Sequence, residues 1–227
     1  MSLRESWDEQ ADAWEKFTRM PGHDVSHEAV NFPAFLDLLP PPGRAALDLG
    51  CGEGRVGAEL KRRGYAVVGV DSSPRMVELA RENHEAFVAD AAGLPFDDGA
   101  FDLVIAYMSL MNFDDMEGGV REAARVLERG TRFCFAVLHP LWAAAEWPVP
   151  ADPEDPLLVH AYFDAPTKVW TSERDGITMT FHDRVIPVET YSRALEDAGF
   201  LIEALREIPS LRRPKLPLYL HGRAVKP

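Results

Sequence analysis

Three short apolar stretches, each ending in an acid or a glycine string, constrain this chain more than any other feature. Residues 45–49 run into Gly50-Cys51-Gly52-Glu53-Gly54, residues 66–70 into Asp71, and residues 86–89 into Asp90. Asp71 follows Gly52 by 19 residues, and Asp90 follows Asp71 by another 19. Between them lie helical segments at 55–63 and from Ser72-Ser73-Pro74 to about His84, the second opening on serine caps with proline at its first helical position. Strands at 101–107 and 131–138 continue the alternation, with a helix at 118–128 that Gly130 ends. Short strands alternating with helices predict an α/β fold, a doubly wound parallel sheet. Continuous apolar runs such as Ala66-Val67-Val68-Gly69-Val70 suit strands buried on both faces.

In such a sheet the three stations line one edge, at the carboxyl ends of adjacent strands, where ligands bind. Glycines let backbone approach a ligand closely. An acid after the second strand accepts from ribose hydroxyls, and one after the third accepts from an adenine amino group. The glycine spacing is G-x-G-x-G with Arg55 following, not the dinucleotide G-x-G-x-x-G. Asp48, two residues ahead of Gly50, opposes a pyrophosphate and suits a ligand with an ammonium and a sulfonium.

The rest of the chain frames this core. A helix at 6–19, with Ser6 and Glu9 as a capping box, and a second at 26–39 form an N-terminal lid over residues 1–42, closed by Pro40-Pro41-Pro42-Gly43. The cofactor core spans 43–138. Residues 139–186 break the rhythm and form an insertion on the acceptor side, with a hairpin turn at Asp175-Gly176. Residues 187–227 close the single domain with a helix at 188–198 and strands at 200–207 and 216–225. The formal charge of −13 disfavours nucleic acid and anionic membranes as partners. The chain shows neither a signal-peptide pattern nor an apolar run of membrane-spanning length, and its two cysteines do not make a disulfide framework. The expected location is the cytoplasm. No metal-ligand spacing occurs.

At ALDLGCGEGR (46–55) the sequence resembles the first motif of class I S-adenosylmethionine-dependent methyltransferases. VVGVDSSPRMVELAR (67–81), residues 88–110 and residues 126–140 are similar to their later motifs. FHDR (181–184) and YSRALEDAGF (191–200) resemble the tail of small-molecule members related to quinone-biosynthesis methyltransferases. The resemblance implies a Rossmann-like sheet of about seven strands with the last antiparallel, and S-adenosyl-L-methionine as cofactor. It implies that Gly50, Cys51 and Gly52 line the methionine moiety while Asp48 positions its ammonium. Asp71 would take the ribose, Ser72 and Met76 would flank the adenine, Asp90 and Ala91 would meet its edge, and Tyr107 would face the methionine end. The acceptor would be a small molecule, and the protein a monomer or homodimer.

Acceptor-side expectations rest on position. His139 directly follows the fifth strand and is the general-base candidate, with His182 second. Trp14, Met108, Asn112, Trp142 and Arg184 are candidate acceptor contacts; Trp147 and Trp170 extend an aromatic wall or fill the insertion's own core. Residues 107–113, YMSLMNF, lack the acidic or Asn motif followed by Pro-Pro of amino-group methyltransferases, which favours a small acceptor. Two other readings stay open: a non-catalytic cofactor-binding protein, and a nicotinamide dehydrogenase disfavoured by the glycine spacing.

Overall fold

The structure is a computed structural model that describes residues 2–146, 158–159, 162–164 and 167–227. Helix α1 (Leu3–Arg19) is followed by a π-helical turn at His27–Asn31 and helix α2 (Phe32–Leu36). The core then runs β1 (Ala46–Leu49), α3 (Arg55–Arg62), β2 (Val67–Asp71), α4 (Pro74–Ala80), β3 (Glu85–Val88), β4 (Phe101–Tyr107), α5 (Met116–Val126) and β5 (Leu127–Leu138). After α6 (Pro140–Ala144) come the short pair β6 (Ala145–Glu146) and β7 (Leu158–Val159), then the hairpin β8 (Thr167–Arg174) and β9 (Ile177–Arg184). Helix α7 (Val188–Asp197), β10 (Leu201–Pro209) and β11 (Pro217–Val225) complete the chain.

Seven strands form one sheet in the order β10-β11-β5-β4-β1-β2-β3. β4, β1, β2 and β3 pair in parallel, as does β5 with β4, while β11 runs antiparallel to both β5 and β10. The order reverses between β1 and β4, and this switch point opens a crevice at the carboxyl ends of the strands. Side-chain alternation divides the core. Leu47, Leu49, Val104 and Ala106 pack on the α5 and α7 side, while Ala46, Leu103, Ile105 and Tyr107 pack with Phe35, Val56 and Leu60 on the α2 and α3 side. Asp48 shares the second face with Ala46, buried against α3.

Several boundaries differ from the sequence reading, each for a local reason. Helix α1 starts earlier: Ser2 Oγ accepts from Glu5 N at 3.2 Å and Glu5 Oε2 accepts from Ser2 N at 2.8 Å, so the capping box is Ser2–Glu5. Ser6 is instead buried within the helix. The second lid helix forms as a π turn running into α2, and turns replace helix at 37–39. Gly130 does not end α5; it lies inside β5 at φ 80°, and its N–H donates to Lys226 O at 2.7 Å. The hairpin turn forms as expected, with Asp175 and Gly176 both at positive φ. Trp147 lies outside the described residues.

Gly54 shows why the first turn is glycine. Its φ of 88° is left-handed, and a Cβ would sit 2.8 Å from the Ala80 Cα of α4. Gly54→Ala should therefore destabilise the fold by about 1–3 kcal/mol, from left-handed strain plus overpacking, read as a lower denaturation midpoint at unchanged slope.

Candidate functional site

The crevice at the switch point is a cavity walled by the carboxyl ends of β1, β2, β3 and β4 and roofed by α1. Gly50, Cys51 and Gly52 form its floor, Asp71, Ser72 and Met76 one wall, and Asp90 and Ala91 the far edge. Tyr107, Met108, Asn112 and Trp14 line the opposite end. A Cβ built on Gly52 meets nothing within 4 Å, so the backbone there stands open to a ligand. Gly50 instead makes room for Ser109, whose Oγ donates to Leu49 O at 2.6 Å.

Asp48 lies beneath this floor rather than on it. It receives the N–H of Gly57, the third residue of α3, and so caps a helix whose Gly54 cannot. Its Oδ2 has no hydrogen-bond partner. Burial, with Asp71 and Glu53 nearby, pushes this carboxyl up to about 7. Asp71 is also raised by burial, although its oxygens accept from Gly52 N at 3.0 Å and Ser73 N at 2.9 Å. Asp90 is exposed and accepts from Ala92 N at 2.9 Å, a local turn that leaves Ala91 facing the cavity.

The lid is fastened to groups that line the cavity. Trp14 Nε1 donates to Glu53 Oε2 at 2.7 Å, and the Arg55 guanidinium sits 5.3 Å from the Trp14 ring centroid. Arg55 also pairs with Asp24 Oδ2 at 2.9 Å. Tyr107 Oη lies 2.9 Å from His27 Nδ1. The Asn31 amide donates to this phenolic oxygen and in turn accepts from His221 Nε2 at 2.7 Å. Burial raises the phenol well above its usual range and, with Arg55, holds His27 down at about 4. Both groups are neutral at ordinary pH.

Four expected acceptor-side residues do not reach this cavity. His139 is buried as the cap of α6, its Nδ1 accepting from Leu141 N at 3.2 Å and its Nε2 3.0 Å from Glu207 Oε1 on β10. A residue at the edge-strand side of β5 turns toward β10 and β11, not toward β1. His182 pairs across the hairpin with Val169, whose side chain is exposed, while the opposite face carrying buried Met179 packs on α1. Arg184 donates to Phe113 O and borders a separate depression with Asp114 and Ile186. Trp142 lies in α6 and is not among the residues lining the cavity. Conversely, Arg4, Glu53, Arg55 and Phe113 line the cavity without having been expected as contacts, and Trp7 joins Trp14 there. Trp7, one helical repeat before Trp14, carried a signal; Glu53 and Arg55 were hidden among the glycines.

Residues 47–135 match the methyltransferase domain family. The protein is similar to the demethylmenaquinone methyltransferase of Corynebacterium kroppenstedtii, 42% identical over 96 residues that cover 42% of each chain. It is similar to that of Thermus thermophilus, 36% identical over 137 residues covering 53% of this chain and 62% of the relative. The chain spans about half the length of the curated relatives it matches. A solved S-adenosylmethionine dependent methyltransferase from Mesorhizobium loti superposes with TM-score 0.68 at 24% identity, covering 87% of this chain and 98% of that one. The fold is the one seen in solved S-adenosylmethionine dependent methyltransferases, and the matched core is similar to a methyltransferase domain. The cofactor this fold implies fits the residues present. An open glycine floor and a buried carboxylate with an orphaned oxygen suit a ligand that brings cationic groups.

Asp48 holds a proton more tightly folded than unfolded, so the ligand-free fold loses stability as pH rises from the ordinary carboxylate range to about 7. Asp48→Asn should stabilise the ligand-free protein at pH 8 by on the order of 1–3 kcal/mol, with the gain vanishing near pH 4, as followed by chemical denaturation at both pH values.

Proposed function

We propose that this protein transfers a methyl group from S-adenosylmethionine to a small, largely apolar acceptor. The observation that carries this reading is the cavity at the sheet's switch point, lined by Gly52, Asp71 and Ala91 in the order that a methionine end, a ribose and an adenine require. Bound there, the cofactor supplies a methyl group on a sulfonium, already a reactive leaving group. Asp71 accepts from the ribose hydroxyls, Ser72 and Met76 flank the base, and Asp90 with the Ala91 N–H reads its edge. Asp48 acts through the glycine floor on the ammonium.

The acceptor enters at the other end, against Trp7, Trp14, Met108 and Phe113. These side chains exclude water and align the nucleophile with the methyl carbon, and orientation of this kind lowers a barrier by roughly 7–11 kcal/mol in the best intramolecular models. Tyr107 Oη keeps its proton and serves as a neutral hydrogen-bonding group rather than a base. Two of the relatives are demethylmenaquinone methyltransferases, which makes demethylmenaquinone the first acceptor to try. A role for His139 or His182 in catalysis needs a rearrangement that brings either ring to the cavity.

Asp71→Ala should reduce S-adenosylmethionine affinity at least a hundredfold in calorimetry while leaving the fold intact by circular dichroism. Unchanged affinity would remove the site assignment.

A further inference from the structure

Glu53 and Asp71 line one corner of the cavity with Asp48 buried beneath it, and the proposed methyl transfer uses only Asp48 and Asp71. The third, Glu53, sits in the glycine turn, is 7% exposed and lines the cavity. Its Oε2 is taken by the Trp14 indole N–H. Its Oε1 is buried and makes no hydrogen bond, lying 3.3 Å from Arg55 Nε only as an ion pair. Asp48 Oδ2, behind it, is also without a hydrogen-bond partner. Arg55 shares its charge between Glu53 and Asp24. The corner thus holds more negative than positive charge in a poorly solvated place, and buried charge without full compensation is costly.

We infer that Glu53, with Asp48 behind it, is a specificity-determining residue that makes the pocket favour the sulfonium cofactor over its uncharged demethylated product. The inference rests on the methyltransferase reading and adds to it a means of product release. Methyl transfer breaks the bond from sulfur to the methyl carbon and forms one from that carbon to the acceptor. The electron pair of the broken bond returns to sulfur, which becomes a neutral thioether. The attraction that held the sulfonium is then gone, and the product leaves the more readily.

The groups facing Asp48 are Asp71 from β2, Glu53 and the Cys51 thiol from the glycine turn, and the Gly57 N–H from α3. Burial sets the Asp48 carboxyl to titrate at about 7, and the neighbouring carboxylates push in the same direction. Its ionisation adds negative charge to this corner as pH rises through that value. Preference for the sulfonium should rise in step.

The test is calorimetric affinity for S-adenosylmethionine and for S-adenosylhomocysteine, in wild type, Glu53→Gln and Trp14→Phe. Gln at this position still accepts from the indole but carries no charge. Glu53→Gln should lower the ratio of the two affinities about tenfold, mostly by weakening the sulfonium ligand. Trp14→Phe, which removes the indole N–H and shrinks the ring beside Arg55 but keeps the Glu53 charge, should leave the ratio near the wild-type value. An unchanged ratio in Glu53→Gln, with both ligands weakened alike, overturns the inference and leaves Glu53 as a fastening for the lid. The wild-type protein gives a second reading that needs no variant: the ratio should rise between pH 5.5 and pH 7.5, and a flat ratio overturns the inference. Failure of the wild type to bind either compound would instead bring down the methyltransferase reading, and this inference with it.

Discussion

The end of β1 carries the constraint on which the rest of the structure depends. A strand buried on both faces delivers a carboxylate, Asp48, into the protein interior, where only one backbone N–H of α3 meets it. That single contact ties the strand to the helix that follows the glycine turn. It lets Gly54 take a left-handed conformation and bring α3 against α4 without a capping side chain of its own. The turn between them then stands open toward the crevice. Strand, helix and glycine floor are one unit, held in a state that leaves half of a carboxylate unsatisfied.

Around this unit the protein is built in two kinds of material. The sheet and its helices are apolar and tightly packed, with Leu47, Val104 and Phe133 fully buried. The lid packs through Ala11 on Met76 and Leu79 and through the buried Phe35, and polar contacts fasten it further. Asp8 accepts from Arg75 N at 3.2 Å, Asp24 meets Arg55, and His27 meets Tyr107. The hairpin secures the lid from outside: Arg174 donates to the carbonyls of His23 and Gly22 at 3.0 and 3.1 Å, and His23 Nε2 lies 2.7 Å from Asp175 Oδ2.

The fold was legible in the sequence because burial on both faces leaves continuous apolar strands, and because glycine and acid punctuate their ends. The strand at Phe101–Tyr107 has the same limits in sequence and structure. The cavity wall was legible for a related reason: Gly50, Gly52, Asp71 and Ala91 lie at or within three residues of their strand ends, so the sheet brings them to one edge. The acceptor side was not. His139 also follows a strand directly, but β5 borders the antiparallel β11, and its end faces Glu207 of β10. Linear spacing carries no information about which neighbour a strand has. Nor does it say which face of an isolated hairpin turns inward, and there the buried Met179 marks the face that packs on α1, opposite His182. Glu53 was missed because a glycine string reads as backbone, so the side chain within it drew no attention.

The bond from Trp14 to Glu53 gives the lid an optical signature. An indole whose N–H meets a carboxylate at 2.7 Å, beneath a guanidinium and with Trp7 at 5.6 Å, sits in an asymmetric electric field and next to an efficient energy-transfer partner. Lifting α1 would carry that indole away from the carboxylate and the cation together while Trp7 travels with it. The emission wavelength would then follow opening of the cover, and transfer between the two indoles, which share the helix, would not.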